Sequence, residues 1–201
     1  SGVGTITIDM PRACKDLTCT GYTGTLALGA YTGVARNIFG SLTLAAGMTL
    51  SGNEILNLSG RGSHLLAMNG VAIAADTLRI GAATGTYGLA SALTHTGTAL
   101  CTATLGVFNT NDYSVTCKAI NINNFAIGTS NFGASTVTLT TAATVVDAYG
   151  TVNAGTSTFV LTDTSAATKT FAGRGKTYGN LVVQGGALNS VVITGANTFA
   201  N

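Results

Sequence analysis

Charge is scarce in this sequence: Asp, Glu, Lys and Arg together make up 8% of 201 residues, against about a quarter in an ordinary soluble domain. Proline occurs once, tryptophan never, and histidine only twice. Long apolar runs are missing too, because Gly and Thr interrupt every stretch well before the roughly 18 residues of a membrane-spanning helix. Each shortage excludes something. Nine basic against seven acidic residues leave no basic stripe to neutralise a run of phosphates, so nucleic acid is not an expected partner. Membrane insertion is not expected either. His64 and His95 have no second His or acidic residue at ligand spacing, so neither a metal nor another cofactor is expected. The opening SGVGTITID shows neither the charged nor the apolar region of a signal peptide.

What is present points the other way. Hydrophobic residues make up 46% of the chain, with 27 glycines, and the polar positions hold Thr, Ser, Asn and Gly rather than Glu and Lys. That choice favours strands and turns over helices. Cys14 and Cys19, on a continuous strand, would face opposite sides and fit neither a local disulfide nor a zinc pair. Cys101 and Cys117 lie in separate alternating stretches, ALCTATL and YSVTCKAI. Free buried thiols are the expectation for all four, with a Cys101–Cys117 bridge as the alternative.

A repeat organises the chain. Val115–Thr116–Cys117, Val137–Thr138–Leu139, Phe159–Val160–Leu161 and Leu181–Val182–Val183 follow at steps of about 22 residues. A second row comprises Ile120–Asn121–Ile122, Thr144–Val145–Val146 and Val191–Val192–Ile193. Leu56–Asn57–Leu58 and Leu78–Arg79–Ile80 show the same step upstream. Ile6–Thr7–Ile8, Leu17–Thr18–Cys19, Leu26–Ala27–Leu28 and Leu42–Thr43–Leu44 are less regular, as expected of a starting or capping region over 1–50. The pattern predicts an all-β fold, a single β-solenoid domain over 1–201 built as a right-handed parallel β-helix. A β-sandwich is the alternative. In the solenoid, Val115, Val137, Phe159 and Leu181 form one inward ladder, and Cys117, Leu139, Leu161 and Val183 the next. The outward Val160 and Val182, with Val192 and Val145 beside them, predict an apolar face covered by another subunit, most simply in a homotrimer.

Chemistry is hard to place on this pattern. Gly175–Lys176–Thr177 echoes the end of a phosphate-binding loop, but Thr170 stands where that loop needs glycine and a strand follows instead of a helix. His64 and His95 are expected as polar groups at strand or turn edges. No G-x-S-x-G elbow occurs. Among the acids, Asp147 and Asp163 are the pair to weigh for glycan processing, yet their spacing of 16 is not a whole coil. Thr-x-Thr pairs suggest an ice-binding array, but stepping from Thr138 and Thr140 gives Val160 and Thr162, then Val182 and Gln184. No catalytic residue is assigned.

Several segments resemble a known family. CKDLTCTGYTGTL from Cys14 to Leu26 is similar to the opening of repetitive, β-rich phage appendage proteins, the tail and head-decoration fibres. FGSLTL from Phe39 and GMTL from Gly47 resemble the segment that follows there. NAGTST from Asn153, FAGRGKTYGNL from Phe171 and ITGANTF from Ile193 resemble its recurring and closing elements. The likeness covers about 14–50 and 151–201; residues 60–130 depart from it, and their strand register is left open. It implies a non-enzymatic structural component of a virus particle, located on the virion, that assembles with other virion proteins and contacts a host-surface glycan or protein. It also implies truncation at Asn201, since the closing element leads into further strands in the family. The alternatives are a bacterial surface adhesin or extracellular filament subunit, at the cell surface or secreted, and, further off, a glycan-processing solenoid.

Overall fold

The computed structural model describes residues 2–8, 13–29, 35–81, 83–102, 105–122, 127–184 and 190–200, apart from the Cys101 side chain. Among these residues there is no α-helix, and so no helix long and apolar enough to cross a membrane. The chain is a β-solenoid. Each full coil contributes one short strand to each of three sides, and most strands on a side pair in parallel with those one coil before and after. A parallel pair always needs a long crossover; here the crossover is the rest of the coil.

One side is a nine-stranded sheet running from Ala13–Cys14 to Val191–Thr194. The second is a seven-stranded sheet from Leu17–Thr18 to Thr151–Asn153, with Thr177–Tyr178 and Thr198–Phe199 paired beyond it. The third begins with Thr5–Thr7, Thr25–Ala27 and Thr49–Ser51 and continues as six strands from Ala72–Ile73 to Asn180–Val183. With rungs about 4.8 Å apart, nine of them make a rod about 40 Å long.

Strand alternation dictates the core. In Val115–Cys117 the first and third side chains are buried and the middle one is half-exposed. Val115, Val137, Phe159 and Leu181 are register partners in successive rungs, as are Cys117, Leu139, Leu161 and Val183. Both files turn half-buried at their last members, Leu181 and Val183. The triplets of the starting region belong to two sides. Ile6 pairs with Leu26 and Leu26 with Leu50, whereas Leu17 pairs with Leu42 and Leu42 with Leu66.

Among the described residues of 60–130, whose register the sequence left open, the strands pair without a bulge: Leu56, Leu78, Leu100 and Ile120 stack in file. The irregularity lies later. Ile120 pairs with Val146 rather than with Thr144, and Val146 with Phe171. The second row expected from the sequence is therefore displaced by two residues at this coil, and it skips the strand Lys169–Ala172.

One corner of the coil repeats a tight turn. An N–H to C=O bond closes four residues at Met48 to Ala45, Val71 to Met68, Tyr113 to Thr110, Ser135 to Phe132, Ser157 to Ala154 and Lys176 to Gly173. Its centre carries positive φ at Asn69 and Gly70, at Asn111 and Asp112, at Gly133, at Gly155, and at Arg174 and Gly175. Gly, Asn and Asp tolerate that region best. The NAGTST and AGRGKT segments are this corner. Side chains lock it to the next coil: Ala134 N–H donates to Asp112 Oδ1 at 2.7 Å, and Gly175 N–H to Asn197 Oδ1 at 2.8 Å.

The C-terminal half is filled by rings. Phe159 lies 5.3 Å from Phe132, 5.8 Å from Phe171 and 5.6 Å from Tyr178, all edge-on. Phe159→Ala is expected to lower unfolding free energy by about 3–5 kcal/mol, read from urea denaturation. Thr138→Ala, on the outer side of the neighbouring rung, is expected to stay within about 0.5 kcal/mol.

Candidate functional site

The outer face of the nine-stranded sheet departs from plain stacking at Ala143–Ala148. Val145 and Val146 are both fully buried, which strict alternation forbids. The conflict is resolved by a bulge: Thr144 pairs with Thr170 and Val146 with Phe171, leaving Val145 as the extra residue. Bulges of this kind re-aim the side chains that follow. Beyond it Asp147 and Tyr149 point outward on either side of the buried Ala148.

Arg174, in the left-handed turn one coil on, reaches back to this pair. Its Nε donates to Asp147 Oδ1 at 2.8 Å, and the guanidinium carbon stands 3.4 Å from the centroid of the Tyr149 ring. The Asp147 carboxylate raises the guanidinium's already high pKa, so the charge is permanent. The result is a rigid surface cluster of a carboxylate, a cation and an aromatic ring. This group went unnoticed in the sequence because its contacts join residues 27 apart, across an irregular coil that no fixed repeat would align.

Asp163, the other acid weighed for glycan chemistry, lies in the segment after Thr158–Leu161. Hydrogen bonding from the Ser165 hydroxyl at 2.5 Å, and then from the Lys169 ammonium, lowers its pKa. Lys169 itself turns inward and is buried, and its Nζ also donates to the carbonyls of Ser165 and Ala167 and to Ser190 Oγ. That lysine fastens the extra residues of the coil onto the core. Asp147 and Asp163 are thus held by separate cations, and no hydrogen bond joins them. Among the described residues no group of three His, Cys, Asp or Glu side chains could hold a metal ion.

The expected subunit face does not assemble as read from the sequence. Val160 lies between Thr138 and Val182 in register and is only 9% exposed. Val182 and Val192 are exposed, but Val182 belongs to the six-stranded sheet and Val192 to the nine-stranded one. They stand in different sheets, so the three valines do not form one face. Val145, also expected outside, is inside because of the bulge. The threonine column does break at Val160, as its spacing implied, but it extends upstream through Thr116 to Thr94. Gly175–Lys176–Thr177 forms the corner turn and enters the strand Thr177–Tyr178.

The thiols and histidines also find their places. Cys14, Cys19 and Cys117 are free, which removes the Cys101–Cys117 bridge, and burial pushes the Cys117 thiol up to about 12. His64 is half-buried, its ring 5.0 Å from that of Tyr87. His95 is not at an edge. It points into the core in file with Ile73, and its Nε2 donates to the Ala75 carbonyl at 2.8 Å while Nδ1 has no partner.

No family model, curated protein or solved structure matches this chain.

Burial is the largest influence on His95 and holds its pKa below 6.5, the Ala75 hydrogen bond opposing it. Below 6.5 the unfolded chain therefore binds more protons than the folded one, and stability falls as pH drops until the folded-state value is passed. The slope can reach about 1.4 kcal/mol per pH unit. His95→Gln is expected to flatten this part of the stability profile, measured by urea unfolding between pH 7 and pH 4.

Proposed function

We propose that this chain is a non-enzymatic structural rod of a virus particle, a phage fibre, tail or capsid-decoration component. The observation that carries the reading is the stack of parallel rungs, continuous through nine strands on one side, whose interior is filled by files of like side chains. Every rung bonds to its neighbours through the backbone along the rod axis, so bending or local opening must break several parallel ladders together. Such a body serves as a stiff spacer that resists proteases. The resemblance of the corner segments Asn153–Thr158 and Phe171–Leu181 to phage appendage elements supports the virion over other settings for a rod.

A glycan-processing role finds less support, since Asp147 and Asp163 are each engaged by their own cation. Antibody raised against the chain should label purified particles in electron microscopy. Labelling of cell envelopes with bare particles would overturn the proposal in favour of an adhesin or a filament subunit on the cell surface.

Lateral assembly, most simply as a trimer alongside other virion proteins, belongs to the same proposal and now rests on Val182 with its neighbours on one side of the rod. Light scattering at micromolar concentration is expected to return a multiple of the 20.0 kDa chain mass. A monomer would remove this part of the reading.

A further inference from the structure

Two charged side chains face outward from the described strands of the nine-stranded sheet, Arg79 and Asp147. Arg36 and Lys169, on the same sheet, are buried. The outward pair stands in one file. Register runs from Arg79 to Cys101, from Cys101 to Asn121 and from Asn121 to Asp147. Cation and carboxylate are thus three rungs apart, about 14 Å at the usual strand spacing, which is too far for them to meet within one chain. Asp147 is engaged by Arg174 through Oδ1. Arg79 is half-buried and takes part in neither of the ion pairs found among the described residues.

A second outward file runs beside the first. Ile55 pairs with Thr77 and Thr77 with Ala99, and beyond the bulge Thr170 pairs with Val192. This file is uncharged, and it ends on a valine that is 45% exposed. A cation without a partner, a carboxylate further along the same file and an uncovered apolar end belong to a surface that complements itself.

Symmetry decides how. Two copies packed face to face about an axis along the rod keep every rung level with its own copy, which leaves each Arg79 three rungs from any Asp147. An axis along the strands, passing between Ala99–Thr102 and Ile120–Ile122, reverses the rod but keeps each file over itself. Arg79 of one copy then stands opposite Asp147 of the other, and the contact occurs twice. Near the axis Ala99 faces Ala119, methyl against methyl. Further out Asn57 faces Ala172 and Ala35 faces Val192, so the larger side chain meets the smaller and the valine is covered.

We infer that this face binds a second copy of the chain, the two rods lying antiparallel. The contact goes beyond the proposed structural role and uses a different side of the rod from Val182. Eight rungs of about four residues cover about 38 Å by 13 Å. Counted on both copies this is about 1,000 Å², at the lower end for a specific interface. The dimer is therefore weak and loosens with added salt.

The test is sedimentation equilibrium of the whole chain from micromolar concentration to about 1 mM. Arg79→Asp and Asp147→Arg each set like charges opposite one another and should weaken the dimer about tenfold or more, while the double variant should restore it. Thermal unfolding reports whether each variant folds; Arg79→Ala and Asp147→Asn replace any that does not, with a smaller loss expected. Carbodiimide treatment of the Arg79→Lys chain should also join position 79 of one copy to position 147 of another, read by mass spectrometry on mixed isotope-labelled and unlabelled chains. A monomer throughout, an assembly unaltered by both single variants, a double variant no tighter than the singles, or no 79–147 cross-link would overturn the inference. Particle labelling decides the structural proposal independently of each of these outcomes.

Discussion

Parallel pairing between successive coils is the constraint from which everything else follows. Nearly every strand is bonded to the strands one coil before and after, so a residue's neighbours along the rod are the residues at the same point of adjacent coils. Like must therefore stack on like. A valine over a phenylalanine over a leucine keeps an inward file dry; a misplaced charge would be buried against two rungs at once. Two of the buried charged side chains find oxygen acceptors accordingly. Lys169 is surrounded by oxygen acceptors, and Arg36 donates through Nε and Nη2 to the Leu28 carbonyl.

The same constraint explains the recurring corner segments. A coil must turn through a small angle at a fixed place, and the turn must repeat at the rung spacing. Left-handed backbone at one or two positions achieves this in a four-residue turn, which confines those positions largely to Gly, Asn and Asp. Asparagine and aspartate then do a second job, because their side chains bond the backbone of a neighbouring coil, as Asn69 does to Leu44 and Asn111 to Leu89. What looks in the sequence like a signature is thus a steric requirement for turning. That requirement is shared by any rod built this way, so the Gly, Asn and Asp of these segments are set by the architecture.

Function, in such a rod, has to be sought where the repeat is broken. Some outward positions repeat one residue type from coil to coil. Asn109, Asn131 and Asn153, for example, form a simple hydrogen-bonded ladder. At Ala143–Ala148 the extra residue shifts the pattern, and a carboxylate, an aromatic ring and a guanidinium from two coils come together. The insertion after Leu161 is fastened by Lys169 in the coil that supplies Arg174. At this coil, irregularity in the chain and chemical variety on the surface coincide.

The sequence by itself determined the class of fold, the in-register files through Val115 and Cys117, and the role of the glycine-rich turns, because these depend only on alternation within a strand and on a constant step between coils. Tertiary structure alone decided where the step fails. Two adjacent valines can each be inward only if the strand bulges, and whether it does depends on the rungs above and below. For the same reason only the assembled coils could place His95 in the core, put Val182 and Val192 in different sheets, and set Arg174 over Tyr149. Each of those outcomes is fixed by how many residues a coil spends in turning, which is settled when neighbouring rungs pack.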